Sequence, residues 1–156
     1  MDKKIVIVLV FIAFLIGMHS KNLPETEMPY GQVSSGLAPT DWIKQDKIRV
    51  YPNFVQINIR NAKWANFTNT NSMIPVLSSK SNAIQIVPEK PEDIKIGDIV
   101  SFRNEKTKKR IIHRVIGIGS DITGIYFITK GDNNKEQDPF KVRFSDIERV
   151  VVAVIY

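Results

Sequence analysis

Beyond residue 47 the chain is written in short apolar runs, and their brevity constrains the fold more than any other feature. Runs at 48–51, 54–59, 83–87, 98–102, 110–118, 124–130 and 149–156 are rich in Ile, Val, Phe and Tyr and are broken by Pro, Gly, Asn, Asp and Lys. β-Branched side chains crowd a helix but pack well on a pleated surface, so runs of this length bounded by turn formers read as strands. Pro52-Asn53 predicts a tight hairpin between the first two runs, and the polar string 104–109 predicts another. Apart from one turn near 73–77, no segment after residue 21 carries a helical period, and no internal repeat occurs. The expected class is mainly β, an irregular or barrel-like sheet over residues 46–156.

The N-terminus is a different kind of sequence. Met1-Asp2-Lys3-Lys4 precedes an unbroken apolar run at 5–18, followed by His19, Ser20 and Lys21. At 1.5 Å per residue such a run spans about 21 Å, short of a full hydrocarbon core unless flanking neutral residues contribute. Residues 17–21 offer no good small-x-small cleavage site, so residues 1–21 read as a retained transmembrane anchor, helical and single-pass. The lysines ahead of it would stay cytoplasmic and place the rest of the chain on the outer side. Residues 22–45, rich in Pro, Gly, Ser and Glu, read as a linker.

Composition removes several chemistries. The 156-residue chain contains no cysteine and two histidines, which excludes disulfides, thiolate metal sites and a cysteine nucleophile. No metal or cofactor is expected. The net charge of +6 lacks the interleaved basic and aromatic residues of a nucleic-acid surface, and the basic tip at 106–110 reads as a solvated turn. The sequon Asn66-Phe67-Thr68 is expected to stay unmodified, being so near the candidate nucleophile.

Three places could carry chemistry. Ser72 lies in a polar loop where most serines only form turns. His113 lies in an apolar strand, on the same face as Ile111 and Val115, where a histidine is ordinarily a packed core residue. The segment 130–134, with Asp132, is a good turn in its own right, and Asp138 follows it. Together they supply a hydroxyl nucleophile, an imidazole base and a carboxylate able to orient the imidazole. With His19 in or beside the anchor, His113 is the practical base.

The motifs Asn71-Ser72-Met73-Ile74-Pro75, Ile96-Gly97-Asp98-Ile99-Val100, Ile112-His113-Arg114-Val115-Ile116-Gly117 and Thr129-Lys130-Gly131-Asp132-Asn133-Asn134 resemble, in this order, the signal peptidase I family in its archaeal and endoplasmic-reticulum subtype. The resemblance implies a membrane-bound serine endopeptidase that cleaves signal peptides from exported preproteins after small residues. Ser72 matches the nucleophile and His113 the base, where the bacterial subtype carries lysine. For the carboxylate it offers both Asp138, the first choice, and Asp132, as support or alternate. Thr70 and Asn71 depart from the family's Ser-Gly before the nucleophile. Threonine keeps the hydroxyl and asparagine tolerates a left-handed backbone, so Thr70 Oγ1 and the Ser72 N–H are the expected oxyanion donors. An extended peptide is expected to add as a strand, with Met73 and the strand 83–87 as pocket walls. Preprotein signal peptides and membrane lipid are the implied partners, with translocation or accessory subunits as further candidates. The competing reading is a catalytically idle relative that binds hydrophobic segments or partners at the membrane. It requires drift at Ser72, His113 and the aspartates, and all are present.

Overall fold

The computed structural model describes residues 37–68 and 70–156, so the expected anchor and residues 22–36 of the linker lie outside the described residues. Nine strands are formed: β1 (Ile48–Val50), β2 (Val55–Ile57), β3 (Lys63–Asn66), β4 (Asn82–Ile86), β5 (Ile99–Arg103), β6 (Arg110–Asp121), β7 (Gly124–Lys130), β8 (Val142–Arg143) and β9 (Ile147–Ile155). Strands β1 and β2 pair as a separate hairpin through the Pro52-Asn53 turn. The other seven form one sheet of order β3-β4-β9-β5-β6-β7-β8, every neighbouring pair antiparallel. Mainly β is therefore the correct class. The sheet is open, because no ladder joins β3 to β8 among the described residues. Among those residues no helix is long and apolar enough to cross a membrane.

All seven expected runs contain a strand, and two further strands appear. Lys63–Asn66 has no apolar run to announce it; it forms because it pairs with β4 in register Trp64↔Ile84 and Ala65↔Ala83. Val142–Arg143 is two residues long and pairs only with Phe127 and Tyr126 of β7. The expected turn near 73–77 is a single loop of chain closed by Leu77 N–H donating to Met73 O at 2.8 Å.

The central strands are covered on both faces, which explains why four successive residues of β5, Ile99 to Phe102, are all buried. Successive side chains point to opposite sides. Val100 and Phe102 enter one core with Ile94, Val115, Phe127, Val142, Ile147 and Val150. Ile99 enters a second with Met73, Leu77, Ala83 and Val151. Phe102 and Phe127 are fully buried in the first core, and truncating either to alanine should cost about 3–5 kcal/mol. The second core is smaller, and the loop carrying Met73 and Leu77 forms its lid.

Residues 37–42, at the end of the expected linker, are pinned to the sheet. Asp98 is fully buried and accepts from Thr40 N–H at 2.6 Å, Trp42 Nε1 at 3.1 Å and Lys95 N–H at 2.8 Å. Gly97 adopts φ +103°, and a Cβ there would collide with Ala38 O, so only glycine lets the two backbones approach. Proline and serine content alone suggested a spacer; buried acceptors on the sheet hold its last residues instead.

Candidate active site

Strand β6 supplies two adjacent functional side chains that the pleat sends to opposite faces. His113 pairs across the ladder with Val100 and presents its ring edge-on to Phe102, 6.5 Å between centroids, so it stands on the face of the larger core. Arg114, opposite Ile99, stands on the other. Both are buried. Each meets a carboxylate from the segment that follows β7.

Asp138 belongs to His113. Its Oδ2 lies 2.7 Å from His113 Nδ1, and it is held there twice by Thr129, whose Oγ1 donates to the same oxygen at 2.5 Å while Asp138 N–H donates to Thr129 O at 2.8 Å. A carboxylate on Nδ1 keeps the proton on that nitrogen and leaves Nε2 as the acceptor. Nε2 makes no hydrogen bond to the described residues, among which the His113 side chain is 9% exposed. Thr129 opens the fourth sequence motif, where no role is attached to it. Its position in the strand just before the turn was the available signal, since period two puts it opposite Val115 and next to the histidine's face.

Asp132 belongs to Arg114. The pair is bidentate, Nε to Oδ1 at 2.8 Å and Nη2 to Oδ2 at 2.7 Å, and Arg114 Nη1 also donates to Gly97 O at 2.7 Å and Leu37 O at 3.3 Å. Of the two aspartates, the structure brings only Asp138 to the imidazole. Asp132 instead ties the turn after β7 to the Gly97 loop and to the chain at Leu37.

Ser72 reaches this region through its backbone. Asn133 N–H donates to Ser72 O at 2.9 Å and Asn133 Nδ2 to Asn71 O at 3.1 Å. Gly131 lies so close that a Cβ there would meet Ser72 O at 2.6 Å. The loop bearing Ser72 is thus docked on the turn whose two ends carry Asp132 and Asp138. Asn71 adopts φ 59°, the left-handed conformation that asparagine tolerates better than other non-glycine residues. That kink brings Thr70 Oγ1 to 3.3 Å from Ser72 Oγ. Among the described residues this is the Ser72 hydroxyl's hydrogen bond; none joins it to the His113 ring. The Ser72 N–H donates to no backbone carbonyl of the described residues.

Thr70, Asn71 and Met73, on either side of Ser72, line a groove of ≈ 790 Å³ that runs over the second core, between the chain at 63–71 and strand β6. Met73 and Gln85 of β4 are both in its wall. At the far end Arg110, with Arg103 behind it, holds the Glu148 carboxyl below the ordinary glutamate range. No cluster of three potential metal ligands occurs among the described residues.

Neither a curated protein nor a solved structure gives a significant match to the chain. A family model described as signal peptidase, peptidase S26, matches residues 4–125, a span that includes Ser72 and His113 and stops short of Asp132 and Asp138. With more than half of its length matched in this way, the chain belongs to the signal peptidase family, peptidase S26.

Proposed function

We propose that the protein is a serine endopeptidase of the archaeal and endoplasmic-reticulum subtype, held at the membrane, which cleaves signal peptides from exported preproteins after small residues. The observation that carries this reading is the 2.7 Å contact between His113 Nδ1 and Asp138 Oδ2, beside a turn on which the Ser72 loop is docked. Ser72 Oγ is the nucleophile. It exchanges its bond to Thr70 for one to His113 Nε2, attacks the scissile carbonyl, and passes its proton to the imidazole. Asp138 stabilises the imidazolium, which then gives the proton to the leaving amine. Hydrogen bonds of this kind are commonly long in an unloaded protease and tighten around substrate.

Thr70 Oγ1 and the Ser72 N–H receive the developing oxyanion, a role supported by the left-handed turn at Asn71 and by the N–H having no carbonyl partner among the described residues. Arg114 and Asp132 fix the turn and take no part in proton transfer. Met73 forms a wall of the peptide groove. The tip of the β1–β2 hairpin supports a location at a lipid surface. Val50 is 78% exposed and Phe54 59%, and Tyr51 stacks on Phe54 with 4.5 Å between ring centroids. The anchor over residues 1–21 and an outward-facing domain complete the proposal.

The test is cleavage of a model preprotein by detergent-solubilised protein, set against Ser72→Ala and His113→Ala. Cleavage by the wild type alone supports the reading; equal behaviour of all three sinks it.

A further inference from the structure

The groove changes character along its length. At the Met73 end, Phe67, Leu77 and Ile112 join Met73 in an apolar lining. Further along, Gln85, Ser101 and Arg149 line it, each two residues along its strand from a second-core residue, Ala83, Ile99 and Val151, and therefore on the same face. Ser101 and Arg149 are direct cross-strand partners, and Gln85 lies on β4 at the other side of β9. Three polar residues side by side on neighbouring strands next to an apolar core call for partners, since buried polar groups are costly unless hydrogen-bonded.

These groups are not satisfied by the described residues. Ser101 is 2% exposed and its Oγ has no partner among them; Arg149 Nη1 is sealed and has none either. Among the described residues Arg149 forms no salt bridge, and the carboxylate beside it in sequence, Glu148, is already taken by Arg103 and Arg110. Arg149 offers donors and a positive charge, the Ser101 hydroxyl and the Gln85 amide can donate beside it, and the one carboxylate in the lining, Glu148, is engaged by the two other arginines. A ligand that only accepts and carries negative charge, a carboxylate, complements this floor.

We propose that Gln85, Ser101 and Arg149 form a subsite for an acidic side chain of the bound peptide, a specificity element beyond the small residues at the cleaved bond. It rests on the peptidase reading for the nature of its occupant: the groove opens beside Ser72, so what fills it is continuous with the segment being cut. Arg149 supplies the charge, Ser101 Oγ–H and the Gln85 amide supply neutral donors, and the apolar stretch between them and Met73 accommodates intervening side chains. Because the interaction lies away from the scissile bond, it acts through KM more than through kcat.

The experiment takes one neutral peptide substrate and replaces each position flanking the cleaved bond with Glu, Asp, Gln, Ala or Lys. The full chain in detergent is compared with Arg149→Met, Arg149→Lys and Ser101→Ala. The expected result is one position at which Glu or Asp raises kcat/KM over Gln by about tenfold, chiefly through KM. Arg149→Met should bring that ratio to about one, Arg149→Lys should keep part of it, and Ser101→Ala should reduce it by a few-fold. A flat scan, or an acid preference that survives Arg149→Met, overturns the proposal. If Arg149→Met does not fold, as a thermal melt would reveal, the other two variants decide it. Vesicles of phosphatidylglycerol that compete in an Arg149-dependent way, while acidic peptides do not, would assign the floor to lipid phosphate and overturn the peptide subsite. If the neutral parent peptide is not cleaved, or is cleaved by Ser72→Ala, the peptidase reading fails by itself. Calorimetric binding of the matched Glu and Gln peptides to Ser72→Ala protein then decides the subsite independently.

Discussion

Two side-chain pairs formed by neighbouring residues of one strand are built alike and end differently. His113–Asp138 and Arg114–Asp132 are buried to the same degree, with side chains 9% and 11% exposed in one and 10% and 15% in the other. Both take their carboxylate from the segment after β7. They differ in what is left over. Arg114 spends its fork on Asp132 and its remaining nitrogen on the carbonyls of Gly97 and Leu37, so it is permanently charged and fully engaged. His113 gives one nitrogen to Asp138 and keeps the other uncommitted among the described residues. Burial and pairing alone therefore do not tell the two pairs apart. The distinguishing mark is the uncommitted ring nitrogen.

That contrast breaks most directly at the histidine. Ser72→Ala or His113→Ala should lower kcat on the order of 10⁴-fold or more, and Asp138→Asn on the order of 10⁴-fold. An NH₂ in place of Oδ2, the oxygen that both partners share, would donate to Nδ1 and leave the proton on Nε2, where it blocks uptake of the serine proton, while Thr129 Oγ1 turns from donor to acceptor. The expected combination for Asp138→Asn is a thermal melt close to wild type with turnover lost; retained turnover would place the acid elsewhere.

The other pair should fail in the opposite sense. Asp132→Ala leaves Arg114 buried without its counter-charge and should reduce stability by about 3–5 kcal/mol in denaturant unfolding. An unchanged unfolding midpoint would show that the arginine finds other partners and that the structural role is misassigned. Between these lies Thr70→Val, which removes one hydroxyl beside Ser72 and should lower kcat by about 10²-fold with KM little altered. A rise in KM alone would make Thr70 a binding residue.

The smallest effect is expected where the same kind of pair is exposed. Glu148 has its folded pKa held below the ordinary 4.5 by Arg110 first and Arg103 second, so its contribution is present above the unfolded pKa and is lost as pH falls through the lower folded value. Both arginines are more than half exposed, which limits the gain to about 1 kcal/mol or less. Glu148→Gln should remove that loss below pH 4.5 and change little at neutral pH, measured by chemical unfolding at several pH values.

Much of this was legible in the residues. The strands at 98–102 and 110–118 announced themselves because β-branched runs have few alternatives, and the motif around Ser72 pointed to the proposed nucleophile. Period two already put His113 and Arg114 on opposite faces. It could not say which aspartate reached which face, because that depends on how a turn folds back over the sheet edge. Strand β3 was silent for a similar reason: Lys63-Trp64-Ala65-Asn66 becomes extended through its partner β4, not through its own preference. The polar floor was the least legible part. Gln85, Ser101 and Arg149 come from three strands that are neighbours only because the sheet order departs from the chain order.

That order has a consequence in time. Strand β9, the last of the described strands in chain order, lies between β4 and β5, and among the described residues it alone joins the ladder that carries the Ser72 loop to the ladder that carries His113 and Asp138. Contacts of such sequence separation form slowly and late. During synthesis the two halves have no shared sheet until residues near 150 emerge, and Arg149 arrives with the same strand. Until then, among the described residues, the Ser72 loop meets the half that carries His113 through Asn133 and not through a shared ladder.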